Sequence, residues 1–281
     1  MSDYDGPVLD DHLHLDADNE GIEAVRTFAR AGGTHLLIVN QPSWKLGVEA
    51  EEPEAFHPVF EETIDLAERA SDVLPGVAWP VLGVHPGLVS RLLERGLTPA
   101  EARDLMSGGL DVAAEYAAEE PAVALKSGRP HYEVDEAVWE ASNAVLRHAL
   151  ELAAGSGVAL QLHTEATEDL TEVASWAEEA GLTSERVVKH YASGRCDGVT
   201  PSVICDKDAL STAATREDPF LMETDYLDDP ERPGAVLGPK TVPRRVDWLA
   251  ERGFEGAVRR AHVETPRRVY GIDTEGTLTR S

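Results

Sequence analysis

Cysteine is almost absent: Cys196 and Cys205 are the only two in 281 residues, and they lack CxxC spacing. That excludes a disulfide framework and a thiolate zinc knuckle, and both read as ordinary buried thiols. Lysine is scarce too, with only five among 25 basic residues, set against 52 Asp and Glu for a net charge of -27. The acid is scattered among apolar residues and not gathered in a tail, and with 42% hydrophobic residues the chain is no candidate for disorder. An acid-rich, lysine-poor soluble chain has the composition of a protein from a salt-loving microbe, in which molar salt screens the self-repulsion. Such a surface repels phosphate backbones and lacks a basic groove, so the expected partner is a small-molecule substrate or a short nucleic-acid end.

No apolar run approaches the roughly 20 residues of a membrane span. The start, Met1 to Gly6, is polar and acidic where a signal peptide would be basic and then apolar, so a cytoplasmic protein without a membrane partner is expected. Internal repeats, low-complexity tracts and Ser/Gly-rich linkers are also missing, and the length suits one α/β barrel, so residues 1–281 are read as a single domain.

Short β-branched runs alternate with amphipathic Ala/Glu-rich stretches, the pattern of a parallel sheet with crossover helices. The predicted strands are Val8 to Leu15, His35 to Asn40, Val77 to Val84, Ala122 to Lys126, Val158 to His163, Arg186 to Tyr191, Pro201 to Cys205 and Phe220 to Asp225. Helices are predicted over Gly21 to Ala31, Phe56 to Ser71, Thr98 to Glu119, Asp135 to Ala154, Glu168 to Ala180 and Lys207 to Thr215. Thr98 and Thr183 are candidate N-caps, and Gly32, Gly155 and Gly181 candidate stops. The Pro-rich Asp228 to Pro243 stretch is expected to loop over a mouth. No Gly-rich dinucleotide fingerprint follows the first strand, and polar residues sit at many strand ends. Both features favour a (β/α)₈ TIM-type barrel over an open doubly wound sheet.

In Asp10-Asp11-His12-Leu13-His14-Leu15-Asp16, strand alternation puts Asp10, His12 and His14 on one face and Leu13 and Leu15 on the other. Two imidazoles about 7 Å apart along a strand can share a metal ion. An HxH pair alone also fits two solvated histidines. The other strands, however, end in Lys126, His163, His190 and Asp225, where barrel enzymes carry catalytic groups. Buried histidines and aspartates must be paired or coordinated, so this set points to a metal centre. His35, His57, His148 and His262 fall away from the expected mouth.

With these residues in place, the sequence resembles the TatD-like metal-dependent hydrolases of the amidohydrolase superfamily. The matching segments are Asp10 to Asp16, Gly83-Val84-His85-Pro86, Leu162-His163, Lys189-His190, Glu223-Thr224-Asp225 and a closing helix from Ala261 through Thr265 to Tyr270-Gly271. The resemblance implies two divalent metal ions, one on His12, His14 and Asp225 and the second on His163 and His190. Zinc is the default, and Mn, Fe, Co or Ni suit the same ligands. The family's bridging residue is typically a glutamate, and this chain has Lys126 there. An amine cannot bridge two cations, but its carbamate with CO₂ can, as in phosphotriesterase-like amidohydrolases. Otherwise Lys126 stays an ammonium that binds an anionic substrate, with one metal only or with Glu165 as the bridge.

The implied reaction is attack by metal-bound hydroxide on an ester, lactone, amide or phosphoester bond, with Asp225 as general base. The resemblance gives His85 a contact to a substrate oxygen, although it could equally cap the following turn. Arg129 and His131 are candidate substrate-binding residues for a phosphate or carboxylate, and both could equally make loop salt bridges. The alternatives are a TatD-type deoxyribonuclease, whose DNA end Arg129, His131, Arg195, Lys207 and Lys240 could grip at the mouth, and a metal-binding protein without catalysis.

Overall fold

The computed structural model describes residues 4–119, 122–232 and 236–279. Eight parallel strands run in chain order around a barrel: β1 (Leu9–His14), β2 (His35–Val39), β3 (Ala78–Gly83), β4 (Ala124–Gly128), β5 (Ala159–His163), β6 (Val187–Ala192), β7 (Thr200–Ile204) and β8 (Leu221–Glu223). A two-residue strand, β9 (Tyr226–Leu227), continues β8 and pairs with β1 through Leu13↔Tyr226 and His14↔Leu227, which closes the sheet. All eight expected strands are present, with ends that shift by one or two residues.

Helices α1 (Ile22–Arg30), α2 (His57–Ser71), α3 (Leu88–Glu94), α4 (Pro99–Glu119), α5 (Glu136–Ser156), α6 (Thr171–Ala180) and α7 (Lys207–Ala214) pack outside the barrel. The chain ends in α8 (Thr241–Ala250), α9 (Glu255–Arg259), a π-helical turn over Arg260–Glu264 and α10 (Thr265–Tyr270). One apolar layer fills the barrel below the mouth, with Leu9, Leu37, Val81, Ala124, Ala159 and Val188, stoppered by Val269 and Tyr270 of α10. Two larger clusters fill the space between sheet and helices, around Phe56, Phe60 and Leu146 on one side and Phe28, Leu66 and Phe220 on the other. No helix among the described residues is long and apolar enough to cross a membrane.

Local chemistry sets the ends of several elements. Thr98 and Glu101 form a reciprocal capping box at the start of α4, with Glu101 Oε2 accepting from Thr98 N at 2.8 Å and Thr98 Oγ1 from Glu101 N at 3.3 Å. Thr183 makes no such cap, and only a single 3₁₀ turn, Ser184–Arg186, follows it. Gly181 ends α6 in the left-handed region at φ 86°. Gly155 lies inside α5, whose stop is Gly157 at φ 70°. The loop expected to reach Pro243 ends earlier, because Pro243 sits in the first turn of α8, where its missing N–H costs nothing. Pro233, expected within that loop, lies outside the described residues. Cys205 is buried as expected, whereas Cys196 is only half-buried.

β1 departs from simple alternation. Its register against β2 shifts between Asp10 and Leu13. The shift turns Asp10 outward beside Leu13, Ala24, Val25 and Phe28, away from His12 and His14. There its carboxylate accepts from Thr224 N (3.0 Å) and Thr224 Oγ1 (2.7 Å), tying β1 to the end of β8. Burial pushes the Asp10 carboxyl up to about 7.

His262 lies away from the mouth and holds the barrel floor: its Nδ1 accepts from Leu9 N at 3.0 Å, and among the described residues its buried Nε2 has no hydrogen-bond partner. Burial lowers its pKa to about 3, and that of His35 to about 4. Both folded values lie below the unfolded value of about 6.5, so the stability contributed by the neutral rings is complete above pH 6.5 and is lost as pH falls toward 3. Urea unfolding at stepped pH is expected to show stability falling below pH 6.5, by up to about 1.4 kcal/mol per pH unit for each histidine. His262→Asn, which retains an acceptor for Leu9 N, is expected to remove one histidine's share of that slope. An unchanged slope in the variant would rule this out.

Candidate metal centre

Strand ends deliver the predicted residues to one place. His14, His85, Lys126, His131, His163, His190 and Asp225 line a cavity of about 560 Å³ at the C-terminal mouth of the barrel, and His12 lies fully buried beneath it. Lys45, Lys189 and Trp44 also line it, as do Leu227, Arg232 and Val236, so the loop after β9 does reach the mouth.

The centre of the cluster is tight. His12 Nε2 and His14 Nε2 are 3.3 Å apart, and Lys126 Nζ lies 3.2 Å from the first and 3.3 Å from the second. Asp225 Oδ1 stands 3.9 Å from His12 Nε2. His14 Nδ1 is 2.9 Å from the Val39 carbonyl, which can only accept, so that nitrogen carries the proton and the Nε2 lone pair faces the cluster. Across the mouth, His163 Nδ1 is 2.7 Å from His190 Nε2, and His163 Nε2 is 2.9 Å from His131 Nδ1. The His12 and His190 rings stack at 4.2 Å between centroids and join the two halves.

Burial governs the protonation states. It holds the imidazoles of His12, His14, His85 and His163 well below the usual histidine range and lowers His190 to about 3, so all five are neutral. It pushes the Asp225 carboxyl up, and that of Glu223 to about 8. The Lys126 ammonium is pulled down to about 8 by burial, against the opposing charges of Asp225 and Glu223. Neutral imidazoles with convergent lone pairs are the ligand form of histidine.

The donors fit a divalent ion. His12, His14 and Asp225 place one ligand atom each within 4.8 Å of one another, and so do His12, His190 and Glu223. Glu223 and His190 are buried side by side, with Glu223 Oε1 3.5 Å from His190 Nδ1, so both polar groups are desolvated where a cation could bind them. Among the described residues, Asp225 is also one of two non-glycine residues at positive φ, 48°, and Tyr191, after His190, is the other at 56°. Asp225 N donates to His12 O at 3.0 Å, which holds the strained backbone in place. Lys126 has a constrained backdrop: a Cβ on Gly83 would collide with the Lys126 carbonyl, so the glycine lets β3 and β4 approach at that level.

The family model of the TatD-related DNases aligns with residues 9–271. The chain belongs to that family. It is therefore a TatD-family hydrolase by descent. It is 33% identical over 287 aligned positions to a protein of Methanocaldococcus jannaschii described as uncharacterized protein MJ1127, with 96% of this chain and 97% of that one covered. Among solved structures, the organophosphorus hydrolase from Deinococcus radiodurans superposes with a TM-score of 0.59 at 14% identity, covering 95% of this chain and 92% of that one. A mutant of the PTE-like lactonase of the same organism gives 0.58 at 15% identity, covering 96% and 98%. These two likenesses establish the shared TIM-type barrel.

Four predicted residues, Arg129, Arg195, Lys207 and Lys240, lie off the cavity, and His85 serves in two ways. His85 reaches the cavity, and its Nδ1 also accepts from Gly87 N at 3.0 Å, so it caps the turn that follows. Arg129 does not line the cavity: it is buried, with Nε donating to Glu165 Oε2 at 2.9 Å and Nη1 to Asn143 Oδ1 at 3.2 Å, and it stacks 4.7 Å over Trp139. That ion pair also occupies Glu165, the other candidate bridge. Arg195, Lys207 and Lys240 do not line the cavity either, and Arg195 is paired with Asp197.

Two site residues escaped the sequence reading. Glu223 was quoted only as part of Glu223-Thr224-Asp225, yet its carboxylate accepts from Tyr191 N at 2.7 Å and lies 3.5 Å from His190 Nδ1. Gln161, two positions before His163 and so on the same strand face, was detectable by alternation. Its Oε1 is 2.7 Å from His12 Nδ1.

Since Arg129 is a buried structural cation, Arg129→Ala is expected to destabilise the fold by on the order of 2 kcal/mol through lost pairing and packing. Chemical denaturation measures this; a variant with unchanged stability would return Arg129 to the list of substrate contacts.

Proposed function

We propose that the chain is a metal-dependent hydrolase that cleaves an ester, lactone, amide or phosphoester bond in a small substrate. His12, His14 and Asp225 would hold one divalent ion and His163 and His190 the second, with Lys126 between them as its N-carboxylated form. Zinc is the first candidate. The observation that carries the reading is the convergence of neutral, buried imidazoles, Asp225 and Lys126 at the mouth of a TatD-family barrel. When bound, such an ion makes a water molecule acidic enough to ionise near neutral pH and polarises the oxygen of the electrophile.

The chain's own residues supply the rest. Asp225, anchored on the His12 carbonyl and raised in pKa by burial, accepts the proton of the attacking water and returns it to the leaving group. His85 and His131 stand on the wall where a substrate oxygen would lie. Trp44, Leu227 and Val236 give that space apolar sides, which strengthens electrostatics within it. Lys126, with a pKa near 8, has a substantial neutral fraction close to neutrality. That amine would attack the carbon of CO₂: an N–C bond forms as one C=O π bond opens, the nitrogen's proton passes to solvent, and the carbamate has two anionic oxygens able to serve as a carboxylate does.

The family description supports a second reading, a deoxyribonuclease acting at DNA ends. Release from end-labelled DNA against turnover of esters, lactones and phosphotriesters, in high salt suited to an acid-rich surface, separates the two. Metal binding with no turnover on any of them would sink both.

Two outcomes test the centre itself. Elemental analysis is expected to give two metal ions per chain, dropping to one or none in Lys126→Ala, and native mass spectrometry a mass gain of one CO₂ that acid removes. Metal-loaded protein without that gain would count against the carbamate. Asp225→Asn, which tolerates the positive φ, is expected to leave the melting temperature within a few degrees and to lower kcat at least about 100-fold, the range for a lost general base. Near-normal kcat would remove Asp225 from that role.

A further inference from the structure

The outer partners of His12 form a chain that ends far from the mouth. Gln161 on β5 is fully buried and faces three groups. Its Nε2 donates to the Asp11 carbonyl at 2.9 Å and to the Tyr270 hydroxyl at 3.0 Å, and its Oε1 is 2.7 Å from His12 Nδ1. A backbone carbonyl only accepts, so the amide has one orientation: NH₂ toward Asp11 and Tyr270, oxygen toward His12. An amide oxygen also only accepts. His12 Nδ1 must therefore carry the proton, and its Nε2 lone pair is left facing His14 Nε2 and Lys126 Nζ.

Tyr270 is the last residue of α10, the helix that stoppers the barrel floor. Its hydroxyl faces the Asp11 carboxyl, whose oxygens have no hydrogen-bond partner of standard geometry. His14 obtains the same tautomer more simply, from the Val39 carbonyl.

We infer that Gln161 and Tyr270 are positioning residues for the metal centre: Gln161 fixes the Nδ1–H tautomer of His12, and Tyr270 on the C-terminal helix holds the Gln161 amide in the orientation that does so. The inference deepens the proposed metal-dependent reading, since the tautomer serves to present Nε2 to a cation. It would account for a buried glutamine in the middle of β5, and for a tyrosine hydroxyl carried into the barrel floor. Outer partners of this kind typically change metal affinity about 10- to 100-fold when removed.

The test reads the tautomer without metal or turnover. Chelator-treated full-length protein labelled with ¹⁵N-histidine is examined by long-range ¹H–¹⁵N correlation, with His12 assigned from the spectrum of His12→Asn. Wild type is expected to show His12 protonated on Nδ1 and bare on Nε2. Gln161→Leu is expected to populate the Nε2–H form and to weaken Zn²⁺ binding, titrated against a chromophoric chelator, at least 10-fold. Gln161→Glu, which keeps an acceptor for Nδ1–H, is expected to retain the wild-type tautomer. Tyr270→Phe removes one hydroxyl, preserves the packing, and is expected to weaken Zn²⁺ binding about 3-fold or more.

A merely structural role would lower the melting temperature of these variants and leave tautomer and Zn²⁺ affinity where they were; that result overturns the inference. So does a wild-type His12 bearing its proton on Nε2. If Gln161→Leu fails to fold, the Gln161→Glu and Tyr270→Phe comparison decides the matter alone. A chain that hydrolyses nothing, yet shows the expected tautomers, would refute the proposed function and leave this assignment standing.

Discussion

The site depends on one closure. β9 pairs with β1, and the backbone N–H of Asp225 donates to the carbonyl of His12, so the two ends of an eight-strand sheet meet. Asp10 reinforces the seam with two hydrogen bonds to Thr224. Asp225 takes a positive φ at that point, a conformation aspartate tolerates better than most residues. Without the seam, the His12–His14 pair and Asp225 would lie at opposite edges of an open sheet, and no cation could join them.

Closure also explains the unusual electrostatics. Curling the sheet buries the inward ends of β1, β4, β5, β6 and β8 together, and water is excluded from a space rich in nitrogen and oxygen atoms. Burial then opposes every charge: it lowers the histidines and Lys126 and raises Asp225 and Glu223. The state that results, neutral imidazoles crowded against desolvated carboxyl groups, is unfavourable by itself and suited to binding a cation. Polar atoms held that way over many strands are the kind of local cost a functional site retains.

Much of this was legible along the chain. Alternating apolar runs and Ala/Glu-rich stretches located all eight strands. His12, His14, Lys126, His163, His190 and Asp225 could be assigned to one mouth because each falls toward the C-terminal end of a strand predicted from the pattern. The legible part is periodic or positional, which a one-dimensional pattern can encode. Asp10 shows the limit: strict alternation puts it with the histidines, but the register shift in β1 turns it outward to Thr224. A bulge depends on the neighbouring strand and leaves no local signature. Likewise, whether Arg129 faces a substrate or Glu165 depended on how two loops pack.

The sequence by itself determined the barrel class, the strands that carry chemistry, the family resemblance and the presence of a lysine, Lys126, on the fourth strand, because all of these are properties of residue type and spacing. Tertiary structure decided which of those side chains meet: the approach of Lys126 Nζ to two imidazoles, the entry of Glu223 beside His190, the withdrawal of Arg129, and the linking of His12 to Tyr270 through Gln161. The physical reason is range. Hydrogen bonds and burial act over a few ångströms between residues more than a hundred positions apart, and only the closed barrel converts that sequence distance into contact.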